Sequence, residues 1–207
     1  MSAQPDPLDR EELPKDTAAL ARFLIGKLVV RAFPDTLATA RIVETEAYLT
    51  GDAASHGFRG RTPRNKVMFG PPGYAYVYLA YGVSFMLNVT SAEEGAGEAV
   101  LIRAAEPLSG VDAMRRLRGD APTRDLLRGP GRLAKALGID RRLDGLDLCS
   151  AGELWLASDG AACGGIGVSV RIGITRDADR PLRFYLKESR YVSGPGALNG
   201  VPRRRAH

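Results

Sequence analysis

Apolar positions along this chain fall mostly in short β-type runs bounded by Gly, Pro and Asp, and only three short stretches carry a helical period. Leu28 to Phe33 and Thr39 to Tyr48 read as two strands separated by a turn at Pro34-Asp35. Tyr74 to Tyr81 is a strongly β stretch, and Val83 to Val89 returns past Gly82 as its hairpin partner. Ala99 to Ala105 predicts a further strand that ends before Pro107. Leu154 to Ala157, Val168 to Ile174 and Leu182 to Leu186 read as late strands. Among helices, Asp16 caps one that carries Leu20, Phe23 and Leu24 on one face and stops at Gly26. Val111 to Arg118 and Arg132 to Leu137 are the other two, the last opened by Gly129-Pro130-Gly131. From Gly51 to Gly73 the chain has no period and is rich in Gly, Arg and Pro, which predicts a long loop of the kind that carries function or disorder.

These elements predict an α+β fold: a single mixed domain with a curved, mostly antiparallel sheet flanked by helices. Residues 1–12 read as a loose leader, 13–193 as one domain, and 194–207 as a flexible tail ending in the basic run Arg203-Arg204-Arg205. The length of 207 residues suits one domain and lets about 70% of the unfolded surface be buried. No apolar run approaches the ~18 residues needed to span a membrane. Met1 to Glu12 is acidic and proline-bearing, unlike a signal peptide, so the expected location is the cytoplasm.

Charge adds a hint about the partner. The net charge is +5, and 24 of the 29 basic residues are arginine. A guanidinium grips phosphate through paired hydrogen bonds, so arginine dominance suits a polyanion, although a codon bias toward Arg produces the same count. Two cysteines (Cys149, Cys163) and two histidines (His56, His207) make neither a zinc arrangement nor a disulfide framework.

Two segments carry chemistry. In Arg41-Ile42-Val43-Glu44-Thr45-Glu46-Ala47-Tyr48, strand alternation places residues 42, 44, 46 and 48 on one face, with the two carboxylates roughly 6.6 Å apart. A carboxylate desolvated among aromatic groups has a raised pKa and suits a general base; the competing reading is an edge strand with its charges in water. In the second segment, Tyr74, Tyr76 and Tyr78 share a face, and Tyr81 stands at the strand end beside Gly82. Such rings are fit for stacking on bases, or simply for a half-buried sheet face.

Read together, these segments resemble one family. Glu44-Thr45-Glu46-Ala47-Tyr48, His56, Arg61-Thr62-Pro63-Arg64-Asn65, Tyr76-Val77-Tyr78-Leu79-Ala80-Tyr81-Gly82, Asn88, Leu101-Ile102-Arg103-Ala104 and Arg180-Pro181-Leu182-Arg183-Phe184-Tyr185 occur in the order seen in the alkyladenine (3-methyladenine, methylpurine) DNA glycosylases. The resemblance runs from about residue 17 to residue 193. It implies a monofunctional base-excision-repair enzyme that flips damaged purines out of double-stranded DNA and hydrolyses the N-glycosidic bond. It implies no cofactor, no metal and a monomer.

The resemblance also implies roles for residues. Glu46 matches the general base, and Arg103 and the carbonyl of Ile172 match groups that hold the attacking water. Tyr48, His56 and Tyr78 match the walls around the flipped base, and Asn88 a side chain that discriminates against the guanine amino group. Tyr81 matches a residue inserted into the vacated stack, although Val83 and Ser84 stand where the family usually carries bulkier residues. Arg64, Tyr76 and Arg132 are candidates for touching the DNA backbone. Glu44 is expected to pair with Arg41 or Arg103 rather than to act in catalysis. A nucleic-acid-binding protein of the same fold without catalysis is the alternative.

Overall fold

The computed structural model describes residues 4–200, and its core is a single eight-stranded antiparallel sheet curled into a half-barrel with three helices packed on it. The strands are β1 (Leu28–Ala32), β2 (Leu37–Tyr48), β3 (Ala75–Ala80), β4 (Ser84–Ser91), β5 (Glu98–Ser109), β6 (Leu154–Ala157), β7 (Ile166–Ser169) and β8 (Arg183–Leu186). The helices are α1 (Thr17–Phe23), α2 (Val111–Arg118) and α3 (Pro130–Ala136). The fold is thus the expected mixed α+β arrangement. Among the described residues no helix is long and apolar enough to cross a membrane.

Strand order is β3-β4-β5-β2-β1-β6, and β8 adds to β2 while pairing with β7. The twelve-residue β2 is therefore the hub. From Thr39 to Tyr48 it runs against β5, its first half runs against β1, and its second half, at Glu44 to Glu46, against β8. This settles the competing readings of the acidic segment: it is the centre of the sheet, not an edge facing water.

One detail departs from simple alternation. The ladder between β2 and β5 shifts register between Ile42 and Glu44, so that Ile42 faces Ala105 and Glu44 faces Ala104. Such a bulge inserts an extra residue and reverses the alternation beyond it. Ile42 consequently packs in the main core with Ala47, Val43 joins a separate cluster with Ala104 and Tyr185, and Glu44 and Glu46 face away from Ile42. The expectation that residues 42, 44, 46 and 48 share a face fails at residue 42 for this reason.

The main core lies between the sheet and the helices, with Leu20, Leu24, Leu87, Ile102, Met114, Leu127 and Leu133 fully buried. Asp16 caps α1 by accepting from the Ala19 amide at 2.7 Å. Strand β5 continues through Pro107 to Ser109, beyond the expected end. Pro107 faces Ala40 at another register shift, where a missing N–H is tolerated. Strand β7 ends at Ser169, short of the expected Ile174, because the Ile172 amide leaves the ladder to bond a side chain.

The expected loose leader is held down from Pro5 onward. The Trp155 indole donates to the Pro5 carbonyl at 3.0 Å, Leu8 pairs with Leu156 of β6, and Arg10 is ion-paired with Asp147 at 2.6 Å. The start of the expected tail is docked too, since Asn199 accepts from Arg183 at 2.7 Å. Arg203-Arg204-Arg205 and His207 lie outside the described residues.

Candidate active site

The site grows from the two carboxylates at the hub. Both are fully buried. Arg103, on the neighbouring β5, reaches across to them: its Nε donates to Glu44 Oε1 at 3.0 Å and its Nη1 to Glu46 Oε2 at 3.2 Å. Glu44 also accepts from Arg183 Nε at 2.6 Å and from the Ser193 amide at 2.7 Å. Arg41, the other expected partner of Glu44, instead pairs with Asp159 at 2.6 Å. Glu46 accepts from the Ile172 amide at 2.7 Å and from the Tyr48 hydroxyl at 2.9 Å.

These surroundings separate the two acids. Burial pushes the Glu44 carboxyl up, but Arg103, Arg183 and the Ser193 amide outweigh it and hold the group below its ordinary value. For Glu46 burial prevails: Arg103, the Ile172 amide and the Tyr48 hydroxyl offset it only in part, and the carboxyl titrates above the usual range. Arg103 is held above its ordinary value, because the two glutamates outweigh its own desolvation.

Beside Glu46 opens a cavity of about 400 Å³. Tyr48, Arg103 and Ile172, the three groups bonded to Glu46, contribute to its wall, with the acid one layer behind them. His56, Tyr76, Tyr78 and Asn88 line it as well. The rings of His56 and Tyr78 lie 4.3 Å apart and those of Tyr76 and Tyr78 5.5 Å apart, which makes one aromatic wall. Burial raises the Tyr78 hydroxyl to about 12 and lowers His56, so at neutral pH both are uncharged. Asn88 is buried and donates to the Tyr76 carbonyl at 3.0 Å. The long loop that brings in His56 is tied by Asn65, whose amide nitrogen donates to the carbonyls of His56 and Gly60 at 2.8 and 3.1 Å.

At the cavity mouth stands the tip of the β3–β4 hairpin. Tyr81 is 93% exposed, with a left-handed φ of 49°, and Val83 is 82% exposed. Arg64 borders the mouth, exposed, with Nη2 on the Leu79 carbonyl at 3.1 Å. Arg132 is exposed on α3, 3.7 Å from Asp125. Tyr76 does not fit its expected contact with a DNA backbone. It is buried, and its hydroxyl is engaged by His56 Nδ1 at 2.9 Å, so it is a wall of the cavity.

Residues 11–190 match the family described as methylpurine-DNA glycosylase (MPG). The chain belongs to that family. Similar proteins include one from Mesorhizobium japonicum, 65% identical over 93% of this chain and 92% of its own. Others come from Paraburkholderia phytofirmans, at 47% over 96% and 95%, and from Carboxydothermus hydrogenoformans, at 45% over 90% and 98%. All three carry the name "Putative 3-methyladenine DNA glycosylase". Membership makes this protein a DNA glycosylase, a repair hydrolase whose substrate is DNA.

Sequence reasoning missed two parts of the glycosylase site. One is the pair of groups, Arg183 and the Ser193 amide, that fixes Glu44. The other is a buried ion pair between Asp52 and Arg171. Only their residue types hinted at this: an acid in an otherwise basic loop, and an arginine in the middle of the apolar run Val168 to Ile174.

Proposed function

We propose that this glycosylase draws a damaged purine nucleotide of the 3-methyladenine, 7-methylguanine or hypoxanthine type out of duplex DNA into the cavity, and hydrolyses its N-glycosidic bond with a water activated by Glu46. The observation that carries this reading is a buried carboxylate of raised pKa behind the wall of an aromatic cavity, bonded to Arg103, Tyr48 and Ile172. The names carried by the relatives support the lesion class.

The chemistry follows from those groups. An N-alkylated purine is already cationic and leaves with little acid assistance. What the protein must supply is a nucleophile and a countercharge for the oxocarbenium-like sugar, and one ionised glutamate serves as both. A water on the Glu46 carboxylate gives up its proton there as its oxygen attacks the sugar C1′ carbon. Arg103 Nη1 donates directly to the Ile172 carbonyl at 3.4 Å; a water entering there exchanges that long bond for one donated by Nη1 and one accepted by the carbonyl. The wall of His56, Tyr76 and Tyr78 meets an electron-poor ring face through cation–π attraction. Neutral His56 imposes no charge repulsion on a cationic base. Asn88 screens the purine edge against a guanine amino group. The step proposed is plain hydrolysis, with no Schiff-base lyase step; that no lysine among the described residues lines the cavity fits this reading.

Tyr81, held proud at the hairpin tip, fills the space that the flipped nucleotide leaves, while Arg64 and Arg132 meet the phosphates. One such site and one flipped base suffice in a monomer.

The test is a duplex carrying one hypoxanthine or one alkylated purine, incubated with the wild type and with Glu46→Gln. Release by the wild type, lost in the variant while duplex binding persists, is expected; binding by both without release from either overturns catalysis in favour of binding alone. Tyr81→Ala is expected to slow release from a paired duplex roughly tenfold, through lost stacking. Unchanged single-turnover rates for that variant would remove the wedge.

A further inference from the structure

We propose that the buried Arg171–Asp52 pair is the positioning element of the active site, setting where Tyr48 and the Ile172 backbone meet Glu46. The proposal rests on the glycosylase reading of Glu46 given above. It concerns two residues that touch neither water nor base.

The geometry is that of a three-way clamp. The side chains of Arg171 and Asp52 are both fully buried, and the guanidinium grips the carboxylate with both Nη atoms, Nη2 to Oδ1 at 2.9 Å and Nη1 to Oδ2. Nη1 also donates to the Ala47 carbonyl at 3.1 Å, at the end of β2. Nη2 donates to the Asp177 carbonyl at 3.2 Å. The guanidinium carbon lies 4.7 Å from the centre of the Tyr48 ring. One planar group thus gathers the end of β2, the start of the loop that carries His56, and the segment that follows β7. Asp52 continues the tie by accepting from the Ala54 amide at 3.0 Å, and Asp177 by accepting from the Ala53 amide at 2.8 Å.

The fold supplies little else to place these pieces. Residues 170–182 contain neither strand nor helix. Yet Ile172, in that stretch, gives its amide to Glu46 and lies 3.4 Å through its carbonyl from Arg103. Arg171 is the adjacent residue, so its clamp sets the height of Ile172 over Glu46. On the other side, the stacked guanidinium holds the ring whose hydroxyl reaches Glu46 at 2.9 Å. Arg171 and Asp52 are both held toward their charged forms, Arg171 above its ordinary value and Asp52 below, although burial opposes each. Lysine cannot replace this arginine, because an ammonium has neither the bidentate fork nor the flat face.

The charged and titratable groups facing Glu46 are Arg103 on β5, Glu44 and Tyr48 on β2, Tyr78 on β3, and Arg171 itself. The Ile172 amide and the Tyr48 hydroxyl both hold the Glu46 carboxyl down against its burial. Loosening the clamp weakens those two bonds and lets Glu46 rise further. The substitutions Arg171→Lys and Asp52→Glu keep every charge and remove the fork-to-fork fit, so a shift in Glu46 reports lost bonds and not lost charge.

The experiment follows both variants by two readouts. The first is the titration midpoint of the Glu46 carboxyl in the free, folded protein, read by carbon-13 NMR with labelled glutamate. The second is single-turnover base release against pH. Each variant is expected to raise the Glu46 midpoint, move the acid limb of release upward, and slow the plateau rate about 100-fold for a misplacement near 1 Å, with duplex affinity nearly unchanged. A folded variant whose Glu46 midpoint and plateau rate match the wild type overturns the proposal, as does a rate that falls only in proportion to unfolded protein. If the wild type releases no base at all, the glycosylase reading fails, and the carbon titration still decides: a raised midpoint sustains the clamp and an unmoved one removes it.

Discussion

Glu44 and Glu46 sit two positions apart on one strand, are both fully buried, and share the same arginine, yet their environments pull them in opposite directions. Glu44 has a second guanidinium, Arg183, and a backbone amide, and is locked as an anion. Glu46 has one guanidinium, an amide and a hydroxyl that borders a cavity, and keeps a raised pKa. A neighbouring pair of like groups divides its roles when the surroundings separate its affinities for protons. Here the extra cation holds one acid in its charged form, and its absence leaves the other, in the proposed mechanism, able to take a proton from water. Arg103 connects them: the bond to Glu44 aims its Nη1 toward Glu46 and the Ile172 carbonyl.

Exchanging each acid for its amide breaks this comparison most severely. Glu46→Gln is expected to lower base release by about 10²–10⁴-fold, the usual contribution of a general base, with little loss of stability. Single-turnover kinetics on a lesion duplex check the first part and urea unfolding the second. Glu44→Gln should do the reverse. It leaves Arg183 buried and undercompensated, and removal of one partner from a buried pair costs about 3–5 kcal/mol, measured by the same urea transition. Release per folded molecule falls less than in Glu46→Gln. Comparable loss of stability in both variants would erase the division of labour.

The gentlest probe is pH. Glu46, with its pKa raised, must be ionised to act, so release falls as pH drops through that raised value. Its ionisation does not stabilise the fold; charging it as pH rises through the raised value works against stability. Glu44, with its pKa depressed, contributes stability that is present above the unfolded carboxylate value of about 4.3 and is lost as pH falls through its lower folded value. Acid should therefore silence the protein while it is still folded, and unfold it only at lower pH. Parallel pH profiles of release and far-ultraviolet circular dichroism check the order. Coincident transitions would show that the two acids titrate as one unit.

Much of this was legible in the residues. Short apolar and aromatic runs pointed to each strand, although β7 lies at Ile166–Ser169 and not along Val168 to Ile174, and Asp16 announced α1 through its cap. The acids, the tyrosines and Arg103 stood out because charge and aromatic clusters are unusual inside a sheet. What escaped has one physical cause: it depends on contacts between residues far apart in the chain. Arg183 meets Glu44 across 139 positions and Arg171 meets Asp52 across 119, and no local pattern encodes such a meeting. The bulge at Val43 escaped for a related reason, since the partner strand, not the strand itself, fixes the register. Tyr76 shows the limit of alternation. Period two gave its face but not its depth, and the loop that delivers His56 turned an expected surface tyrosine into a buried one.

The docked N-terminal stretch has a consequence for how copies of this protein behave together. β6 ends the main strand path, and Pro7 and Leu8 lie along it at Ala157 and Leu156. An uncovered outer strand offers free backbone donors and acceptors to any other extended chain. Pro7, which has no amide hydrogen of its own, makes a poor template for a further strand. Those few residues therefore act as a guard rail along the margin of the sheet, and trimming them is expected to leave a repair enzyme inclined to stack edge to edge.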